Sequence, residues 1–287
     1  MIEIGKVRRL TVRHIRPGNP EWVNAALRAR VEEEISPASQ QTSFGRHWQV
    51  MQAVREKCLP QLAAARVPVR ALVIGVGGEP YPEVFEVKDM LMKAGVPHQL
   101  SVMDIRRETL LGDREIEGMD HVFLGIQDIA RIRLNPDELK RNNVPPEYYH
   151  TFLGKETTKT DDAAQIIEVS EEVRKGIELF QGDIITSQLP PQRFDLVFCF
   201  FVLEHYSGLL RQLGVLNIAS GLRSGGSLIM EGVTDYGLNG IFKNIDLEDW
   251  FSRERLAELG FKKEEPPFAG SYYRGQIAFG HFALQKI

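Results

Sequence analysis

The chain has 287 residues, with 35 lysines and arginines against 39 aspartates and glutamates, for a formal charge of -4. At 43% apolar residues it is globular and long enough for one large domain or two small ones. The acidic balance argues against nucleic-acid binding led by electrostatics, and no apolar run approaches the roughly 20 residues of a membrane-crossing helix.

Residues 1–40 read as a small N-terminal element. The alternation of Val7, Leu10, Val12 and Ile15 predicts a strand over Val7–Ile15, and Pro17-Gly18-Asn19-Pro20 a turn. Val23, Ala26, Leu27, Val31 and Ile35 predict a helix over Pro20–Ile35, and Ser36–Ser43 is a polar linker. The main domain then covers 41–287 and opens on a second helix, Phe44–Ala65, interrupted near Pro60.

From Val69 the pattern changes. Val69–Gly75 is an apolar run, interrupted only by Arg70 and ending in glycines, as a strand buried on both faces shows. Glu83–Ala94 follows as a helix and His98–Met103 as a second strand. Further on come the apolar segment Ile177–Phe180, a strand at Phe194–Phe198 and a helix at Gly208–Leu222. Gly225-Gly226 reads as a turn before the strand Ser227–Met230. Asp246–Leu259 reads as a helix closed by Gly260, and Gly275–Gln285 as closing strands. Strands alternating with helices predict an α/β fold with an open, doubly wound, mostly parallel sheet. Gly112–Lys175 breaks the rhythm as an insertion, either a lid or substrate element or a helical excursion that only packs.

The glycine loop Gly75-Val76-Gly77-Gly78-Glu79-Pro80-Tyr81 follows the first buried strand, where the absence of Cβ atoms lets a ligand approach the backbone. A dinucleotide fingerprint would need glycine where Pro80 stands, and Glu79 disfavours phosphate. An acid in that loop suits a ligand carrying an ammonium or sulphonium group, which points to S-adenosylmethionine. Asp104 ends the second strand, where a carboxylate accepts from ribose hydroxyls; the alternative is a helix N-cap. Asp183 in Gly182-Asp183-Ile184 is a candidate acceptor for an adenine amino group, with Ile184 against the ring.

This order of features resembles class I S-adenosylmethionine-dependent methyltransferases, and within them the CheR-type chemoreceptor glutamate methyltransferases. The resemblance runs from about Gln41 to Gly232, roughly two-thirds of the chain. Thr42-Ser43-Phe44-Gly45-Arg46 is similar to the family's T-x-F-F-R segment, Glu79-Pro80-Tyr81 to the end of its glycine loop, and Met103-Asp104-Ile105 to its T-D-I. Val144–Phe152 with Ile166–Leu179 looks like its inserted segment, Phe194–Cys199 resembles F-D-x-I-F-C, and Leu222–Leu228 resembles L-x-x-G-G-x-L. The resemblance implies a Rossmann-like, seven-stranded sheet and an enzyme that binds S-adenosylmethionine through Gly75, Gly77, Glu79, Asp104, Asp183, Ile184 and Phe200.

The chain also departs from that family. Its glycine loop is shorter, Phe200 and Phe201 stand in place of an arginine-asparagine pair, and His205 stands at an active-site tyrosine, with Tyr206 next. Val202–Tyr206 instead resembles the V-L-E-H of many small-molecule class I methyltransferases. His205 is the candidate base, Arg46 the residue to orient a carboxylate, and Tyr206 with Phe200 the walls around the methyl group. Tyr148, Tyr149, Tyr272 and Tyr273 are candidates to line a substrate pocket. The expected substrate is a small molecule or peptide methylated on oxygen or nitrogen. A receptor glutamate and a non-catalytic S-adenosylmethionine-binding adaptor are the alternatives. Cys58 and Cys199 are too few and too far apart for a zinc-ribbon-type site, and the start of the chain shows no apolar signal run. The expectation is a cytoplasmic protein with reduced thiols, without metal, membrane or nucleic-acid partner, its oligomeric state left open, a homo-oligomer included.

Overall fold

The structure, a computed structural model, describes residues 13–14, 44–64, 67–76, 81–105, 110, 112–113, 123–154, 158–159, 165–200, 202–203, 206, 208–235, 257, 261–263, 269–274 and 277–286. The predicted helices Pro20–Ile35 and Asp246–Leu259, the linker Ser36–Ser43 and most of the strand Val7–Ile15 lie outside these residues.

In chain order the first elements are β1 (Arg13–His14), α1 (Trp48–Ala53), α2 (Leu59–Ala64), β2 (Val69–Ile74), α3 (Pro82–Lys93) and β3 (His98–Asp104). A π-helical turn, Val54–Cys58, joins α1 to α2 without a break in the rod. The interruption expected near Pro60 is this widened turn: proline lacks an amide hydrogen and its ring crowds the carbonyl of Glu56.

The insertion holds β4 (Gly112–Asp113), β5 (Phe123–Leu124), β6 (Arg131–Leu134), α4 (Pro136–Arg141), α5 (Pro146–Tyr149), β7 (Thr158–Lys159), β8 (Gln165–Glu168) and α6 (Glu171–Lys175). β4 and β5 pair antiparallel, and β6, β8 and β7 form a second small antiparallel sheet. Among its described residues the insertion mixes short helices with two small sheets. Its Ile126, Ile132, Leu139, Val144, Phe152 and Ile167 join the same apolar cluster as α1 and α3.

Next come β9 (Ile177–Gln181), β10 (Phe194–Cys199), α7 (Gly208–Gly221), β11 (Leu222–Asp235), β12 (Phe261–Lys263), β13 (Ala269–Arg274) and β14 (Ile277–Lys286). The main sheet runs β1-β9-β3-β2-β10-β11-β14-β12, with β13 paired to β14. Strands β1 to β11 in this sheet pair in parallel, while β14 is antiparallel to β11, β12 and β13. The sheet holds nine strands rather than seven, because β1 extends the β9 edge and β13 forms a hairpin with β14. Gly225-Gly226 falls where the register against β10 jumps from Leu222 to Ser227, and Gly225 takes φ +79°, so the pair redirects the chain just before the regular pairing of Ser227–Met230.

All six residues of β10 are buried, which explains its apolar run; its one charged residue, Asp195, accepts from Arg70 N–H and pairs with Arg223. Alternate side chains feed two cores. One face carries Ala71, Val73, Val102, Leu196, Phe198 and Phe200 towards α1, α3 and the insertion. The other carries Leu72, Ile74, Met103, Val197 and Cys199 towards Ile184, Leu203 and α7. β3 lies on one side of β2 and β10 on the other, so the strand order reverses between them and opens a crevice beyond their carboxyl ends.

Candidate active site

The carboxyl ends of β2, β3 and β9 are held in line by backbone hydrogen bonds: Gly75 N–H to Met103 O at 2.8 Å and Gly182 N–H to Asp104 O at 3.0 Å. The Asp104 side chain is 9% exposed, and the Val76 amide donates to its Oδ2 at 3.1 Å. Asp104 thus ends its strand with a carboxylate fixed by the neighbouring loop, in the crevice where a ribose would lie.

Gly75 takes φ +69°, and a Cβ there would overlap the Val202 side chain. The absent Cβ thus makes room for the segment after β10 to cross the end of β2. Gly77, Glu79 and His205 lie outside the described residues.

Asp183 is 8% exposed and already works inside its own loop. Its Oδ1 accepts from Ile185 N–H at 2.8 Å and from the Tyr206 hydroxyl at 3.2 Å, and its Oδ2 from Thr186 Oγ1 at 3.2 Å. Burial raises its carboxyl above the ordinary value against the pull of these three donors. An adenine amino group would have to add to that set. Ile184 is 2% exposed and packs in the α7-side core. Burial, then the charge of Asp183, pushes the Tyr206 phenol well up, so Tyr206 is a hydrogen-bond donor and not a base.

Phe200 belongs to the core on the α3 side of the sheet and Tyr206 to the core on the α7 side. Phe200 stacks on His47, with ring centroids 4.1 Å apart and planes at 14°. His47 Nε2 is 3.9 Å from Glu83 Oε1 in the first turn of α3. Arg46 is partly buried in the turn 44–47 that carries His47. His47 was given no role on sequence grounds; its signal was its place directly after Arg46 in the T-S-F-G-R segment.

α3 is buried along Pro82–Leu91, acids included. Glu86 accepts from Gly45 N–H at 3.0 Å and from Tyr148 Oη–H at 2.8 Å, both on Oε1. Asp89 accepts from Leu153 N–H at 2.7 Å and pairs with Lys93 at 2.8 Å. These carboxylates tie α3 to the turn before α1 and to the insertion. Tyr148 also borders a cavity of about 290 Å³ with Met51, Arg55, Met90 and Lys93, beside the second half of α3. At about 1.5 Å per residue, Met90 is roughly 12 Å along the helix from Pro82, so this cavity is separate from the crevice. Tyr149 packs on the same core, and the side chains of Tyr272 and Tyr273 lie outside the described ones.

Cys199, at the end of β10, is fully buried and its thiol is pushed up to about 12, so it stays protonated and unreactive. Among the described residues no group of three or more His, Cys, Asp or Glu is placed to hold a metal ion. Among them, too, no helix is long and apolar enough to cross a membrane.

Residues 145–230 match a family model described as a methyltransferase domain. That stretch runs from α5 to β11. No curated protein matches the chain in sequence. Among solved structures, the chain is similar to magnesium protoporphyrin IX methyltransferase (ChlM) of Synechocystis PCC 6803 with bound SAH. The identity is 13%, over 93% of this chain and 97% of that one, with a TM-score of 0.46. It is similar to a TehB-like SAM-dependent methyltransferase of Corynebacterium glutamicum ATCC 13032 at 14% identity, over 91% and 96%, with a TM-score of 0.40. Against the CMeT domain of the citrinin polyketide synthase the identity is 13% and the TM-score 0.41, and the chain spans about half of that protein's length (78% of this chain, 49% of that one). The fold rests on the strand order itself: a parallel sheet with one antiparallel strand inserted next to its edge. That order is the class I, Rossmann-like fold, and the segment 145–230 within it is similar to a methyltransferase domain.

Proposed function

We propose that this chain is an S-adenosylmethionine-dependent methyltransferase acting on an oxygen or nitrogen of a small molecule or peptide. The observation that carries the reading is Asp104: a nearly buried carboxylate at the end of β3, oriented by the Val76 amide, beside the point where the strand order reverses. Such a carboxylate accepts from the vicinal hydroxyls of a ribose, which suits a nucleoside cofactor. Asp104 and the Gly75–Val76 backbone would hold the nucleoside, with Gly77 and Glu79 as further ligands and Asp183 shaping the loop through Tyr206.

S-adenosylmethionine supplies a methyl group already activated by its sulphonium, so the protein's part is orientation and a shielded site. Phe200 and His47 form a dry wall on the α3 side of that site. The finer likeness to chemoreceptor methyltransferases belongs to this proposal too. Its support is the T-S-F-G-R segment, whose turn stands against Phe200 through His47.

The test is calorimetric titration with S-adenosylhomocysteine. The wild type is expected to bind at micromolar concentration. Asp104→Ala removes charge-assisted hydrogen bonds of about 1.5–3 kcal/mol and should weaken binding at least tenfold. Absence of binding by the wild type overturns the reading.

A further inference from the structure

We propose that the cavity between α1, the π-helical turn and the second half of α3 is a second binding site, which takes a small carboxylate with an aromatic or branched apolar body and holds it through Arg55. The inference goes beyond the methyltransferase reading and does not depend on it.

The cavity measures about 290 Å³, at the lower end of the range for small-ligand pockets. Met51 and Arg55 enter it from α1 and the turn that follows, Asp89, Met90 and Lys93 from α3, and Tyr148 from α5.

Charge decides what it takes. Lys93 is matched within the wall: its ammonium pairs with Asp89 at 2.8 Å and lies 5.9 Å from the centroid of the Tyr148 ring. Arg55 is half-buried, and among the described residues its guanidinium has no hydrogen bond and no ion pair. Its charge nevertheless reaches the wall. Burial raises the Asp89 carboxyl and the Tyr148 phenol, and Arg55 pulls both the other way. A guanidinium so placed, without a protein acceptor, matches a carboxylate through its planar fork of N–H donors. Glu147 also lines the cavity and is exposed. With Asp89 it opposes a doubly charged phosphate, whereas a single carboxylate balances Arg55.

The rest of the lining selects the body. Met51 is 1% exposed and Met90 4%, and together with the Tyr148 ring they offer thioethers and an aromatic face. Such a lining adapts to an aromatic or branched group and favours contact between sulphur and a ring. The walls are pinned from outside the cavity, Tyr148 by its hydroxyl donating to Glu86 and Asp89 by the amide of Leu153. Arg55 stands in the widened turn Val54–Cys58, a distortion that recurs at functional sites.

The test uses phenylacetate as probe, with 2-phenylethanol and 2-phenylethylamine as its neutral and cationic counterparts. Binding is read by NMR on protein labelled with carbon-13 at the methionine methyls, with Met51 and Met90 assigned through Met51→Leu and Met90→Leu. Phenylacetate should move both signals by its ring current, with a Kd of about 1 mM or tighter. Met103, near the crevice end of β3, should stay in place. The alcohol and the amine should bind at least about tenfold more weakly, a comparison that needs no variant. Arg55→Gln should weaken phenylacetate by at least about tenfold, and Arg55→Lys, which keeps the charge and loses the fork, by less. Unmoved Met51 and Met90, equal binding of phenylacetate and 2-phenylethanol, or unchanged binding in Arg55→Gln each overturn the proposal. A shift of Met103 alone does so too, because it puts the probe in the crevice. None of these results bears on the methyltransferase reading, which titration with S-adenosylhomocysteine tests by itself.

Discussion

Glu86 is the sharpest probe of how α3 is held. It is 1% exposed, and burial followed by the charge of Glu83 keeps its carboxyl well above its ordinary value of 4.5. The hydrogen bonds from Tyr148 and Gly45 pull the other way and do not win. In the folded protein the group is therefore protonated at pH values where the unfolded chain has already ionised. With a raised folded pKa, its contribution is complete below 4.5 and is lost as pH rises towards the folded value. Within that window one proton corresponds to a loss of about 1.4 kcal/mol per pH unit. Glu86→Gln cannot ionise and keeps an oxygen to accept from Gly45 and Tyr148. Urea unfolding followed by tryptophan fluorescence from pH 4 to 8 should give near-equal stabilities at pH 4. Above it, the wild type should fall progressively below the variant, with a plateau once the folded group ionises. Asp89 and Asp183, also raised by burial, are present in both proteins and cancel in the difference. Parallel curves for the two proteins would refute the reasoning, since they would mean that Glu86 folds as an anion.

Gly75→Ala forces a Cβ into Val202 at a backbone angle that alanine disfavours, and should cost about 2–4 kcal/mol by chemical unfolding and weaken S-adenosylhomocysteine binding at the same time. Asn217 is a buried hub on α7: it accepts from Leu189 N–H and donates to the carbonyls of Ile184 and Ser187. Asn217→Leu leaves three backbone groups unmatched and should destabilise by about 3 kcal/mol, with the loss largest in hydrogen exchange across 183–189.

The sheet was legible because strands buried on both faces write mostly apolar runs. Phe194–Cys199 and Val69–Ile74, each with a single charged residue, Asp195 and Arg70, need no partner to be recognised. Asp104 was legible for a different reason, since a carboxylate at the end of the second strand has a place fixed by topology. The enclosure of α3 was not. Its spacing gives a helix, but nothing in Glu83, Glu86 and Asp89 announces that Gly45, Tyr148 and Leu153 will come from 41 to 64 positions away to meet them.

The insertion of β14 between β11 and β12 has a consequence for the order in which this sheet can be assembled. In the pairing described here, β12 and β13 each have β14 as their partner, and β14 follows both of them in the chain. During synthesis they emerge before the strand that binds them, and β11 waits for its antiparallel neighbour across a separation of more than 40 residues. The parallel half, β9-β3-β2-β10, can pair earlier, so one edge closes last across a long sequence separation, the slow kind of contact in folding. Until it does, β11 presents an open strand edge, and this late closure is the stage at which the growing chain is most exposed to mispairing with a second copy.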